Sequence, residues 1–364
     1  MRILVTGATG FLGKHVVAEA VRQGHDVRAV VRPASNSTPP WWSEHASVEI
    51  VRGELRNASS IPSMLDGIEQ VIHLAAVKAG SFYEQFAGTV IGTENLIDAM
   101  VGAGQRRMVL CSTFSVYEYL GRWSWAKLDE GSPLEGQPEH RDEYCQTKLI
   151  QEQLVRDAAR EHEWQCVVLR PGVIFGPDNL WTARLGMQIS ERWNVRIGAL
   201  ARLPLTYVEN CASAFVRAAE YSGKEPVVTV NVVDDECPGQ ASYLRAVIRA
   251  RKESTRTFPL PWWAMRVLAR SAWLTNSILF RGQCKLPGLL RPPALHARFK
   301  PLRYENRHIR EVLGWQPEFD WREGIRRTLN GRADEVASQT GPSRSHNEVL
   351  NHEGLAADLA GAAD

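Results

Sequence analysis

Ile3-Leu4-Val5-Thr6-Gly7-Ala8-Thr9-Gly10-Phe11-Leu12-Gly13 is the stretch on which the fold turns. Ile3–Val5 is a short apolar run with the β-branched residues of a strand. It stops at a GxxGxxG turn, and His15–Gln23 then reads as a helix closed by Gly24. Val27–Val31 supplies a second strand. In a strand–turn–helix unit of this kind, the first glycine permits the tight turn and the second lets a pyrophosphate approach the backbone. The third lets the helix pack closely on the sheet, with its N-terminus facing the phosphates. A glycine triplet alone is weak; one that follows a strand and opens a helix points to a dinucleotide cradle. Gly7, Thr9, Gly10, Phe11, Leu12 and Gly13 are its expected residues.

The alternation continues outward from that unit. Val48–Val51, Val71–Leu74, Met108–Cys111 and Cys166–Leu169 read as strands, and Thr89–Val101 and Tyr144–Glu161 as helices. Strands separated by helical segments imply an α/β fold, a Rossmann doubly wound parallel sheet. The expected organisation is a dinucleotide-binding domain over 1–170, with returning segments near 204–235. A smaller, mainly helical substrate-binding cap is expected over 171–330. Residues 331–364 have no aromatic, six acidic and two basic side chains, and too little apolar surface to offset ordering. They read as a disordered acidic tail with a transient helix over Val349–Leu359.

Folds of this class carry an Asp or Glu about 20 residues beyond the glycines, which bonds the adenosine ribose. Here the second strand ends in Val30-Val31-Arg32, with no carboxylate. Arg32 is suited to a 2′-phosphate, which favours NADP over NAD.

The 364 residues include 43 Lys and Arg against 41 Asp and Glu, a net charge of +2 that argues against a dedicated nucleic-acid binder. The six cysteines are far apart with no CxxC pair, which reads as reduced thiols and no metal site. The N-terminal apolar run is too short for a signal peptide and no stretch suits a membrane span, so a cytoplasmic protein is expected.

Tyr144-Cys145-Gln146-Thr147-Lys148 is a YxxxK motif at the start of a helical segment. A spacing of i, i+4 sets both side chains on one helix face. An ammonium beside a phenol favours phenolate, so Lys148 is expected to lower the Tyr144 pKa. Tyr144 then exchanges a proton with a carbonyl/alcohol pair while hydride moves to or from a nicotinamide. Cys111-Ser112-Thr113-Phe114-Ser115-Val116-Tyr117 follows a strand at the carboxyl edge, where a hydroxyl can hold the substrate oxygen.

With these residues in place, the chain resembles the extended short-chain dehydrogenase/reductases, the NAD-dependent epimerase/dehydratase family, over about residues 1–330. The resemblance rests on Thr6–Gly13, His73-Leu74-Ala75-Ala76, Gly92-Thr93, Ser112–Tyr117, the Tyr144/Lys148 pair and Arg170–Pro177. Tyr207-Val208-Glu209-Asn210 and Leu313-Gly314-Trp315-Gln316-Pro317 complete it. It implies Thr113 as the catalytic hydroxyl, with Ser112 as the fallback. It also implies cofactor contacts at Glu54, Leu55, Leu74, Ala75, Ala76, Lys78, Thr89, Pro171 and Val173. Glu54 stands for the usual adenine-contacting Asp, and Thr89 stands where members often have Asn.

Departures from the family pattern bear on the substrate. Members acting on nucleotide sugars have an Asn where this chain has Val173 and an Arg where it has Leu203, both contacts to diphosphate. Arg202, one residue earlier, fits only with a shift. The RPGV form resembles the hydroxysteroid dehydrogenase and dihydroflavonol-reductase branch, which implies an apolar or amphipathic alcohol or ketone. The alternatives are a sugar or nucleotide-sugar 4-epimerase or reductase with a retained NAD(P), and a non-catalytic NADP-sensing subunit.

From Thr255 to Tyr304 there is no Asp or Glu, yet nine basic residues, interleaved with Trp262, Trp263, Trp273 and other apolar side chains. Trp263, Val267, Leu274 and Ile278 share one helical face, and Arg266, Arg270 and Ser277 another. The block 256–304 reads as a basic cap helix with a solvated arginine face, as a lid or homodimer contact, or as a peripheral contact with an anionic membrane.

Overall fold

A computed structural model describes residues 1–33, 40–190, 193–198, 200–251, 256–281, 283–284 and 286–339. Lys285 of the basic block and residues 340–364, with the Val349–Leu359 helix expected there, lie outside the described residues.

Seven strands form the central sheet: β1 (Arg2–Thr6), β2 (Asp26–Val31), β3 (Val48–Arg52), β4 (Gln70–His73), β5 (Arg107–Cys111), β6 (Gln165–Pro171) and β7 (Val227–Val232). Their order is β7-β6-β5-β4-β1-β2-β3, and every pairing is parallel. The doubly wound α/β sheet read from the sequence is therefore the fold. Because side chains alternate across a strand, the two faces bury different residues. Ile3 and Val5 of β1, and Val167 and Leu169 of β6, enter one core; Leu4, Cys166 and Val168 enter the other.

Helix α1 (Phe11–Arg22) and helix α4 (Val208–Ala219) cover the first face. Helix α2 (Gly92–Gly102) and helix α3 (Glu143–Glu161) cover the second. Helix α1 opens at Phe11, inside the glycine turn, because Gly10 already has the extended backbone of an N-cap. Before α2 the chain winds as a π-helix over Phe86–Ile91.

Beyond β7 lie α5 (Gln240–Arg251), α6 (Trp262–Leu279), α7 (Pro292–Phe299), α8 (Arg307–Leu313) and α9 (Trp321–Gln339). A small sheet of Met187–Ser190, Trp193–Ile197 and Arg256–Leu260 accompanies them. Helix α9 continues to Gln339, past position 331, at which the sequence reading ends the ordered chain. Asn210 ties this end of the molecule to the sheet. Its amide accepts from the Glu318 and Phe319 N–H groups at 3.0 and 3.1 Å, and donates to the buried Asp234 carboxylate at 3.0 Å. The Tyr207–Asn210 motif thus serves architecture.

Candidate active site

Strand order reverses at β1, which has β2 on one side and β4 on the other, and ligands of such sheets bind beyond the strand ends at that point. Thr6 and His73 close the two strands in register. Gly7 follows with φ +71°, and a Cβ there would meet the Ala75 backbone nitrogen at 3.0 Å. At Gly13 a Cβ would stand 2.1 Å from the Gly7 carbonyl oxygen, so only glycine lets the helix begin this close to its own loop.

The N-terminus of α1 has no side-chain cap and no acidic residue in its first turn. Its free N–H groups and helix dipole therefore remain for an anion. Gly10 is exposed beside them. The cradle fits the diphosphate of a dinucleotide, which the Gly7–Gly13 backbone would hold.

A buried hydrogen-bond chain runs from this loop to Lys148. The Thr6 hydroxyl bonds His73 Nδ1 at 2.7 Å, and His73 Nε2 bonds the Thr93 hydroxyl at 2.9 Å. Gln151 donates to Thr93 Oγ1 at 2.8 Å and accepts from Lys148 Nζ at 2.7 Å. Lys148 Nζ also donates to the Cys111 carbonyl at 2.6 Å, at the end of β5. Burial pushes His73 down to about 3, so it is a neutral linker. Burial also lowers Lys148, to about 8, against the pull of the Cys111 thiol. With two acceptors at hand, Lys148 is an ammonium at neutral pH.

Thr113 stands just past β5, its hydroxyl accepting from the Ser115 N–H at 3.2 Å, and Tyr144 stands in the first turn of α3, where the Thr113 hydroxyl acts to lower the phenol pKa. The structure separates Thr113 from Ser112. Ser112 is buried and donates to Glu152 Oε2 at 2.5 Å. Glu152 is in turn held by Arg170 and Arg156. Ser112 therefore braces α3 against the sheet, and Thr113 is the hydroxyl left facing Tyr144.

The expected depression of Tyr144 by Lys148 is corrected. Burial, followed by the Cys111 thiol, pushes the phenol well above its ordinary value, and the Thr113 hydrogen bond offsets this only in part. The Lys148 ammonium points instead to Cys111 and Gln151.

The remaining residues of interest ring this crevice. Arg32 is exposed just beyond β2, and its charge reaches Glu54 after β3. Glu54 is engaged by Arg56 at 3.1 Å. Leu55 is buried, and its carbonyl accepts from Asn95 at 2.8 Å. Leu74, Ala75 and Ala76 are half-buried in the loop after β4, and Lys78 at its far end is exposed.

Thr89 is buried, and its hydroxyl accepts from the Val77 N–H at 3.0 Å, so it fastens that loop. Pro171 ends β6, and the Val173 N–H donates to the Pro204 carbonyl at 2.6 Å. Sequence reasoning missed Gln151, Glu152 and the joining role of His73. The available signal was the spacing of the first two from Lys148, i+3 and i+4 on one helix face.

Comparison with known proteins agrees with this geometry. The family model of the NAD-dependent epimerase/dehydratase family matches residues 3–232. A 3 beta-hydroxysteroid dehydrogenase/Delta 5-->4-isomerase of Mycobacterium tuberculosis is 27% identical over 347 residues, covering 90% of this chain and 89% of that protein. The mouse sterol-4-alpha-carboxylate 3-dehydrogenase, decarboxylating, is 24% identical over 73% of each chain. Among solved structures, a UDP-glucose-4-epimerase from Stenotrophomonas maltophila with bound NAD superposes with a TM-score of 0.70. That match has 19% identity and covers 93% of this chain and 99% of the other, a likeness of fold. The chain thus belongs to the NAD-dependent epimerase/dehydratase family, the extended short-chain dehydrogenase/reductases, and is an NAD(P)-dependent oxidoreductase.

Proposed function

We propose that this enzyme interconverts a secondary alcohol and a ketone on a sterol-like, largely apolar molecule, preferring NADP(H). The observation that carries the reading is the placement of Tyr144 in the first turn of α3 and Thr113 just past β5, where the Lys148 ammonium ties the helix to that strand end through the Cys111 carbonyl. When bound, the nicotinamide supplies or accepts the hydride. Thr113 holds the substrate oxygen, and Tyr144 gives it a proton during reduction or takes one during oxidation. Lys148, one helical turn from Tyr144, donates to the Cys111 carbonyl and so holds α3 against the strand end that carries Thr113.

Two features support an apolar substrate. Leu203, at the position where nucleotide-sugar enzymes carry a diphosphate-binding Arg, is fully buried in the core. The neighbouring Arg202 is exposed, and its guanidinium donates to the Cys237 carbonyl at 3.3 Å. The sterol names of the relatives point the same way.

The preference for NADP rests on Arg32 at the end of β2, where no carboxylate stands to bond a ribose hydroxyl. The test is incubation of the protein with a 3β-hydroxysteroid and NADP⁺, following reduced nicotinamide. Net reduction of the cofactor supports the reading. A cofactor that stays with the protein through catalysis without net redox change would replace it with an epimerase.

A further inference from the structure

The apolar stripe of α6 does not face the protein. Its buried positions are Met265, Ala269 and Asn276. Met265 and Ala269 enter a small core with Leu295 and Phe299 of α7. The Asn276 side chain holds the Cys284 backbone, at 3.0 Å to the carbonyl and 3.1 Å from the N–H. The helix is therefore seated by a narrow inner face.

Trp263, Val267, Leu274 and Ile278 lie on the opposite side, at 69%, 61%, 56% and 67% exposure. Their spacing of four, seven and four residues aligns them along the helix. A soluble surface helix ordinarily turns polar side chains there, and an aligned apolar stripe of this size marks a binding face.

Charge selects the occupant. Arg266 and Arg270 are exposed along the flank of the stripe, and neither forms an ion pair among the described residues. No Asp or Glu lies anywhere from Thr255 to Tyr304. A second copy meeting this face about a two-fold axis would set these arginines against their own counterparts. An anionic bilayer surface satisfies both features, taking the apolar stripe into its acyl boundary and the arginines at its headgroups.

We infer that α6 is an interfacial helix that docks the enzyme on anionic phospholipid. The helix is also tied to the segment that leads into α3: the half-buried Trp273 ring meets that of His140, four residues before Tyr144, edge-on at 5.4 Å. The inference about docking stands whether or not the substrate is a sterol.

Flotation of the full chain with vesicles tests it. The expected result is binding to phosphatidylglycerol-containing vesicles at low ionic strength, little binding to pure phosphatidylcholine, and a loss of about tenfold at high salt. Val267→Asp combined with Ile278→Asp should abolish flotation while leaving the melting temperature and NADPH binding unchanged. Arg266→Gln with Arg270→Gln should weaken binding to phosphatidylglycerol selectively. Absence of flotation at low salt would overturn the inference, as would equal capture by both vesicle types or undiminished binding of the Asp variant. Gel filtration showing a dimer that the Asp variant splits would assign the face to a second copy instead.

Discussion

Lys148 Nζ donates to Gln151 Oε1 at 2.7 Å, one helical turn further along α3, and the Gln151 amide in turn donates to Thr93 Oγ1 at 2.8 Å, off the helix and toward the glycine loop. From Gln151 the chain of bonds runs through Thr93 and His73 to Thr6 at the foot of the glycine turn. The glycine turn and Lys148 are thus linked by one buried network, and its members are testable one at a time.

Replacing Gln151 by Leu strands the Lys148 ammonium in a buried site with the Cys111 carbonyl as its remaining partner. Leaving such a donor unmet costs about 1–3 kcal/mol. Thermal or denaturant unfolding should show that loss, with turnover reduced as well, and Gln151→Glu should recover much of both. Wild-type stability and turnover in the Leu variant would remove Gln151 from the account.

Ser112 and Thr113 are adjacent yet should behave differently. Thr113→Val removes the hydroxyl facing Tyr144 and should lower kcat on the order of 10²-fold with the fold intact; Thr113→Ser should restore most of it. Ser112→Ala loosens the Glu152–Arg170 brace, so its effect belongs in the melting curve. A Ser112→Ala enzyme that melts normally but has lost its turnover would reverse the assignment.

The pH dependence follows from Lys148. Its folded value of about 8 lies below the ordinary 10.5, so the fold disfavours the charged form and stability rises as pH climbs between the two. Turnover should run the opposite way, because the ammonium whose bonds to the Cys111 carbonyl and Gln151 hold the site together exists below about 8. Burial keeps the Tyr144 phenol protonated throughout that window. Initial rates of ketone reduction should therefore fall with a midpoint near 8. A rate that is flat through about pH 10 would exclude Lys148 as the group responsible.

Arg32→Ala should weaken NADP(H) by about tenfold or more, the worth of a charge-assisted contact to phosphate, and leave NAD(H) nearly unchanged. Fluorescence titration of the two reduced cofactors reads this directly. Tighter binding of NADH than NADPH by the wild type would refute the preference.

Much of this site was legible in the chain because its signals are local. The glycine turn is a compact GxxGxxG run, and Tyr144 and Lys148 sit one helical turn apart. The strand read as Met108–Cys111 places Thr113 at the carboxyl edge where β5 ends. The network behind Lys148 was not legible. His73 and Gln151 are 78 residues apart, and only the crossing of α3 over the end of β4 brings them together.

Helix α6 shows the converse limit. Its periodicity revealed an apolar stripe, but periodicity cannot say which face of a helix the protein buries. Met265, Ala269 and Asn276 make that choice through contacts to α7 and the Cys284 segment. The reach of α9 to Gln339 escaped for a similar reason: its first turns are anchored by Trp321 and Ile325 in the main core, and the helix propagates from there.

The central claim is that Tyr144 moves the proton of a carbonyl/alcohol pair while the cradle holds the nucleotide, and Tyr144→Phe tests it most directly. With a 3β-hydroxysteroid as substrate, the variant should bind NADP(H) as the wild type does and lose turnover by about 10²–10⁴-fold. A Tyr144→Phe enzyme that turns over at the wild-type rate with normal cofactor affinity would contradict the account.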